Sequence, residues 1–207
     1  MLHYETIHSS TLELLKKLIS IKELSKLRLV GGTSLALQIG HRISVDLDLF
    51  GKLEADRYTL SSILSKVGEF KKINETENIL VCSIDGIKVD IVNYPYKWLE
   101  EIYWGDDIPL AGQKDIGAMK LAAIAGRGSK KDFVDFYFLL QKFKLNDILQ
   151  FYNKKYPDGS NFLVLKSLSY FMDAENEMDP NMIIDTKWSD VKKFLIQSLN
   201  SHLKSDL

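Results

Sequence analysis

Asp46 and Asp48 lie two residues apart in the stretch SVDLDLF, and Asp90 lies in IKVDIVNY, each between apolar neighbours. In an extended chain, residues i and i+2 project to one face, so Asp46 and Asp48 share a side. Asp90 joins them if its strand is a neighbour. Convergent carboxylates repel one another, and either protonation or cations must relieve that repulsion. Hard divalent ions such as Mg²⁺ take oxygen ligands and share their shell with substrate phosphates, and two-metal phosphoryl transfer is the natural use of such a set. Upstream, Gly31 and Gly32 are followed by Thr33 and Ser34. At a strand-to-helix turn, backbone N–H groups and the helix dipole suit a phosphate, and the two hydroxyls add donors. On these residues alone a second reading stays open, in which the D-x-D pair sits on the solvated face of an edge strand and makes surface salt bridges.

The elements that must position these residues can be read from periodicity. The stretch LELLKKLISIKELSKL puts Leu14, Leu15, Leu18, Ile21 and Leu24 on one stripe, which predicts an amphipathic first helix. LRLV, the glycine pair and TSLALQIGH read as strand, turn and helix. SVDLDLF alternates, with Val45, Leu47 and Leu49 expected on the buried face and the aspartates opposite. DRYTLSSILSKVG is a further helix, and FKKINETENILVCSIDGIKVDIVNYPY reads as strands, with Asp85-Gly86 as a tight hairpin turn. From Gln113 onward the pattern is helical throughout. The expected class is α+β: a small mixed sheet with flanking helices over 1–112, followed by a C-terminal helical bundle over 113–207. No long linker, internal repeat or low-complexity tract interrupts it. MDAENEMDPNM reads as an acidic surface segment without chemistry.

In the helical half, Lys120 and Arg127 are seven residues apart, about two turns, and share a helix face. Both can meet a triphosphate, or both can be solvated cations of an ordinary amphipathic helix. Small residues, including Gly117 and Ala118, are expected to let this helix approach the sheet. Asp132 reads either as a catalytic or positioning acid or as a helix-start residue stabilised by the dipole; Asp135 reads as a salt-bridge partner of Lys131 or Arg127. Arg42 either closes the phosphate end of the site or neutralises Asp46. His41 reads as packing. With one cysteine and scattered histidines, a closed zinc site is not expected. Lys114, Lys120, Arg127, Lys130 and Lys131 make a local basic cluster that can steer an RNA end by its phosphates, with Lys130 itself read as solvated.

Composition bounds the rest. The 207 residues are 45% hydrophobic and 27% charged, as in an ordinary folded protein. A net charge of −1 offers no global attraction to polyanions or anionic membranes. A single cysteine permits no intramolecular disulfide, the N-terminus lacks the layout of a signal peptide, and no apolar run reaches bilayer length. A cytoplasmic protein is expected, with no membrane partner.

The glycine pair, thirteen residues, and then DLDL resemble the signature of the polymerase-beta-like nucleotidyltransferases. The longer phrases GGTSLALQIGHRISVDLDLF and DIGAMKLAAIAGRGSKKDFVDFYFLL are similar to the narrower AbiEii/AbiGii toxin family within that superfamily, over residues 28–140. The resemblance implies that Gly31 and Gly32 bind the triphosphate of an NTP substrate, that Asp46, Asp48 and Asp90 hold two Mg²⁺, and that Lys120 contacts the phosphates. It sets Arg127 at a basic position, Asp115 at the first acid of the helical motif, and Asp132 and Asp135 in its last portion. It also implies a toxin of a toxin–antitoxin or abortive-infection system that transfers NMP to an RNA such as the tRNA acceptor end, with a cognate antitoxin as partner. The alternatives are nucleotidylation of a protein hydroxyl by the same site, a nuclease, or a nucleotide-binding regulatory protein without turnover.

Overall fold

The structure is a computed structural model that describes residues 1–205. The chain divides into two compact units, Met1–Tyr96 with Ile102–Ala111, and Lys97–Glu101 with Gly112–Leu207, of which 206 and 207 lie outside the described residues. The segment Lys97–Glu101, expected with the first domain, groups with the second for an electrostatic reason. The Asp115 carboxylate accepts hydrogen bonds from the backbone N–H groups of Leu99 and Glu100, and the Glu100 carboxylate accepts one from the Lys114 N–H. Lys155 then donates to the Lys97 carbonyl, and its ammonium stands 4.5 Å from the centre of the Trp98 ring.

The first unit holds a mixed sheet of seven strands: β1 (Leu27–Leu29), β2 (Leu47–Gly51), β3 (Phe70–Glu75), β4 (Ile79–Ile84), β5 (Ile87–Asn93), β6 (Tyr103–Gly105) and β7 (Ile108–Leu110). Their order across the sheet is β3-β4-β5-β2-β1-β7-β6. β2 runs antiparallel to β1 and parallel to β5, and β7 runs parallel to β1. Helices α1 (Ser9–Ile19), α2 (Gly31–Ile39) and α3 (Arg57–Leu64) belong to this unit. Leu14, Leu15 and Leu18 of α1 pack with Leu47, Leu49, Val89 and Ile91 in one apolar core. Cys82 of β4 is completely buried in that core, and burial pushes its thiol pKa up to about 12.

The expected strand over SVDLDLF begins later than its alternation suggests. β2 starts at Leu47, and Val45 is 51% exposed rather than buried with Leu47 and Leu49. Asp46 therefore precedes the strand. The cause is visible in the preceding segment: the Thr33 hydroxyl is bonded to the Asp46 carbonyl, and the Ser44 N–H donates to the Thr6 carbonyl at 2.8 Å. Those bonds satisfy backbone groups that a longer strand would have offered to the sheet. The hairpin at Asp85 and Gly86 forms as read, both residues having positive φ (51° and 81°). A second hairpin joins β6 and β7 through Asp106 and Asp107, also at positive φ (47° and 65°).

The second unit is helical: α4 (Gln113–Gly126), α5 (Lys130–Leu140), α6 (Leu145–Lys155), α7 (Asn161–Ser167), α8 (Met172–Glu175) and α9 (Trp188–Ser205). Gly117 of α4 lets α6 approach: a Cβ there would press on Ile148 at 3.3 Å. The aromatic side chains of α5 are bundle core, with Phe133 against Phe171 and Trp188 and Tyr137 against Phe194. Among the described residues, no helix is long and apolar enough to cross a membrane.

Candidate active site

In the parallel pairing of β2 and β5, Asp48 stands directly beside Asp90. Leu47, Leu49, Val89 and Ile91 occupy the buried face of these strands. The alternation of side chains therefore turns Asp48 and Asp90 to the opposite face together. Residue-type patterning suggested the convergence, and strand pairing produces it.

Over this carboxylate pair lies the start of α2. Gly31 has φ of +67°, a conformation that favours glycine, and a Cβ at this position would overlap the Asp48 carboxylate. The β1 strand is held at the same place by the Val30 N–H donating to the Asp48 carbonyl at 2.8 Å. Glycine is thus required here for two reasons, backbone conformation and proximity to the acid. Val30 caps the helix without a side-chain hydrogen bond, and the N–H groups of Gly31, Gly32 and Thr33 belong to a first turn that has no preceding helical carbonyl to bond. That is an anion-binding end beside an acidic pair, an arrangement that suits a substrate bringing both phosphate and a cation.

The remaining expected residues of this unit are placed as follows. Thr33 is buried, its hydroxyl 2.9 Å from that of Ser44 and bonded to the Asp46 carbonyl. Ser34 is fully buried and accepts a bond from Gln38 at 3.1 Å. Both hydroxyls tie the helix to its surroundings. Arg42 is buried and donates to the Ile43 carbonyl at 3.0 Å, and His41 is enclosed.

One functional group was missed by sequence reasoning. Lys88 lies two residues before Asp90 and so on its face, and its ammonium is 2.8 Å from Asp90 Oδ2. Partial burial works against its charged form, but the hydrogen bond and charge of Asp90, with the charges of Asp48 and Asp46, outweigh it and raise the pKa above the ordinary lysine value. Of the three aspartates, Asp90 is the one in hydrogen-bond contact with this ammonium. The signal was present in IKVDIV, where period two places the lysine beside the acid.

The donor chemistry fits a hard cation. Asp90 Oδ1 is buried with no hydrogen-bond partner, an expensive state for a carboxylate oxygen unless a ligand completes it. Among the described residues, no three His, Cys, Asp or Glu side chains are gathered into a ready cage. A cage is not what Mg²⁺ requires, since it is commonly held by one or two carboxylates, with water and substrate phosphates completing an octahedral shell.

In the second unit, Lys120, Arg127, Asp132 and Asp135 are brought together, and the partners differ from those expected. Asp132 is completely buried and accepts from Lys120 at 3.0 Å, from Arg127 at 2.7 and 3.0 Å, and from Ser129 at 2.7 Å. Burial pushes the Asp132 carboxyl up, but the charge of Lys120 and the bonds from Arg127 and Ser129 win and hold it well below the usual carboxylate range. Asp135 pairs with Lys120 at 2.6 Å, not with Lys131 or Arg127. Asp115, also fully buried, pairs with Lys155 at 2.6 Å.

Lys130 is buried instead of solvated: its backbone N–H donates to the Glu177 carboxylate at 2.7 Å, and its ammonium bonds the Glu177 carbonyl and stands 3.0 Å from Asp179. The acidic segment read as plain surface is thus the partner of this lysine. The basic cluster is correspondingly reduced, because Lys120 and Lys130 are both buried and matched by carboxylates.

The model of the AbiEii nucleotidyl transferase toxin family, a type IV toxin–antitoxin system, matches residues 13–202. An uncharacterised protein of Aquifex aeolicus (strain VF5) is 34% identical over 199 residues, covering 93% of this chain and 96% of that protein. Among solved structures, JHP933 from Helicobacter pylori superposes with a TM-score of 0.58 at 15% identity, over 96% of this chain and 91% of its own. MenT4, a nucleotidyltransferase toxin from Mycobacterium tuberculosis H37Rv, gives 0.57 at 14% identity, over 92% and 80%. At such identities the structural likenesses speak for the nucleotidyltransferase fold, and the family match carries the rest. A glycine turn over an in-register acid pair, on this fold and in a chain matched along nearly its whole length, makes the protein a member of the AbiEii family of nucleotidyl transferase toxins.

Proposed function

We propose that the protein transfers NMP from an NTP to an acceptor hydroxyl of RNA, such as the tRNA acceptor end, in a metal-dependent reaction in the cytoplasm. The observation that carries this reading is the in-register Asp48–Asp90 pair beneath the glycine start of α2. Asp46, Asp48 and Asp90 would hold Mg²⁺, with two ions expected. The bound ions would supply the positive charge that neutralises the triphosphate and favours ionisation of the attacking hydroxyl.

The chain's own groups then have definite tasks. The N–H groups of Gly31 and Gly32 bind the phosphate tail, and the absence of a side chain on Gly31 leaves the acid and the phosphate in reach of each other. Asp90 would help to take the acceptor's proton. The hydroxyl oxygen forms a bond to the α-phosphorus as the bond from that phosphorus to the bridging oxygen breaks, and pyrophosphate leaves. Such catalysis consists mainly of positioning and charge neutralisation. Lys120 and Arg127 would serve as triphosphate ligands, Asp132 as the acid that positions them, and Thr33, Ser34 and Arg42 as supports of the turn. The family implies a cognate antitoxin as partner.

The test is incubation with Mg²⁺, each α-labelled NTP in turn, and total tRNA or cell extract. Label is expected on an RNA band and is expected to vanish with Asp48→Ala while the fold survives. Label on protein would move the acceptor to a side-chain hydroxyl, and label on neither, with no pyrophosphate released, would overturn transfer in favour of nucleotide binding alone.

A further inference from the structure

Lys88 has no assigned task in nucleotidyl transfer, yet its ammonium is in direct contact with one of the proposed reacting carboxylates. Two ionised aspartates on neighbouring strands, whose backbones are about 4.8 Å apart, repel strongly in a half-buried setting. Either protonation or a cation must relieve that repulsion before any metal arrives. At Asp90 a cation is present, the Lys88 ammonium 2.8 Å from Oδ2.

We propose that Lys88 is a built-in counter-cation of the carboxylate site, holding Asp48 and Asp90 together in the metal-free protein and competing with the divalent cation for Asp90. The inference rests on the reading of these aspartates as metal ligands. Its geometry is specific. Asp90 presents one oxygen to Lys88 and keeps the other buried without a partner, so a cation that takes both oxygens must first displace the ammonium.

Lys88 is built to leave. Its side chain is 44% exposed, and Asp90 is its salt-bridge partner. A flexible four-carbon stem carrying a strongly hydrated point charge can swing into water at little cost. Lys120 shows the opposite design: it is 5% exposed and clamped between two carboxylates at 3.0 and 2.6 Å. Competition of this kind keeps the metal affinity of the nucleotide-free protein low. The cation is then favoured when phosphate oxygens arrive with it to complete its shell.

The experiment is Mn²⁺ binding to the nucleotide-free full chain, followed by the paramagnetic resonance signal of free Mn²⁺, for the wild type, Lys88→Met, Lys88→Arg and Asp48→Asn. Removing the ammonium is expected to tighten Mn²⁺ binding about five- to tenfold, the size of a partly exposed ion pair together with its neighbouring charges. Lys88→Met should also melt earlier without metal and gain more from added Mn²⁺, while Lys88→Arg should bind no more tightly than the wild type. Lys88→Gln gives the same comparison if the methionine variant does not fold. Equal or weaker binding by the charge-removed variant, with wild-type binding still dependent on Asp48, would overturn the competition and leave the metal-site reading standing. Binding indifferent to Asp48→Asn, or undetectable in both wild type and Lys88→Met, would overturn the metal-site reading and the role of Lys88 with it.

Discussion

Asp90 and Asp132 are both aspartates beside a lysine, and the protein treats them in opposite ways. Asp132 is fully buried, and each of its oxygens accepts two hydrogen bonds, from Lys120 and Arg127 on one and from Arg127 and Ser129 on the other. Asp90 is partly exposed, gives one oxygen to a half-exposed lysine, and leaves the other unsatisfied. A saturated buried carboxylate has no capacity left for a ligand and acts on the fold, whereas an incompletely satisfied one has its free energy still to gain from something that binds. The difference separates the acid that organises α4 and α5 from the acids proposed to meet substrate.

Substitutions can break or sharpen this contrast. The largest effect is expected from Asp48→Asn, which should lower nucleotidyl transfer about a thousandfold, the loss of a charge essential to transition-state stabilisation. Its thermal unfolding should stay close to that of the wild type. Next comes Asp132→Ala, which strands the buried Lys120 beside Asp135 and should cost about 3 kcal/mol of unfolding free energy, measured by urea titration. If the two variants exchanged these phenotypes, the division of labour would be wrong.

A middle-sized effect concerns Gly31→Ala, in which a methyl group meets the Asp48 carboxylate in a left-handed backbone; about 1–2 kcal/mol of stability should be lost. Transfer should fall more steeply than that loss explains. The smallest is a pH effect. The folded-state pKa of Asp132 is lowered, so its contribution to stability is complete above the unfolded value of about 3.9 and is lost as pH falls toward the folded value. The stability gap between wild type and Asp132→Asn should therefore be constant from neutrality down to about pH 5 and should close below pH 4.

Much of this arrangement was legible because local chemistry and tertiary role agree. Gly31, the alternation from Leu47 to Leu49 and Asp85-Gly86 each announce a backbone geometry that the fold keeps, whereas the alternation fails at Val45 and Asp46. The strands β6 and β7 were not legible: each has three residues, too few for alternation to register, and their turn is made by Asp106 and Asp107 in a conformation that the sequence does not advertise. Lys130 reads as a solvated cation because its partners, Glu177 and Asp179, lie 47 and 49 residues away in sequence, and Lys155 gives no signal because Asp115 lies 40 residues away. Long-range pairing of single charges leaves no periodic trace. Lys88 was missed for a different reason, since a lysine in a strand next to a hairpin is ordinary until a register partner gives its neighbour a purpose.

Cys82 has a consequence for experiment. It is the sole cysteine of the chain, it lies on β4, next to the β3 edge of the sheet, and its thiol is buried in the apolar core with its pKa pushed up by that burial. A thiol reagent added to the native protein can therefore react only in molecules whose sheet has opened. The rate of modification becomes a clock for the opening of the first unit, free of interference from any second sulfhydryl, and its slowing by added nucleotide would read the grip of the proposed site on the sheet beneath it.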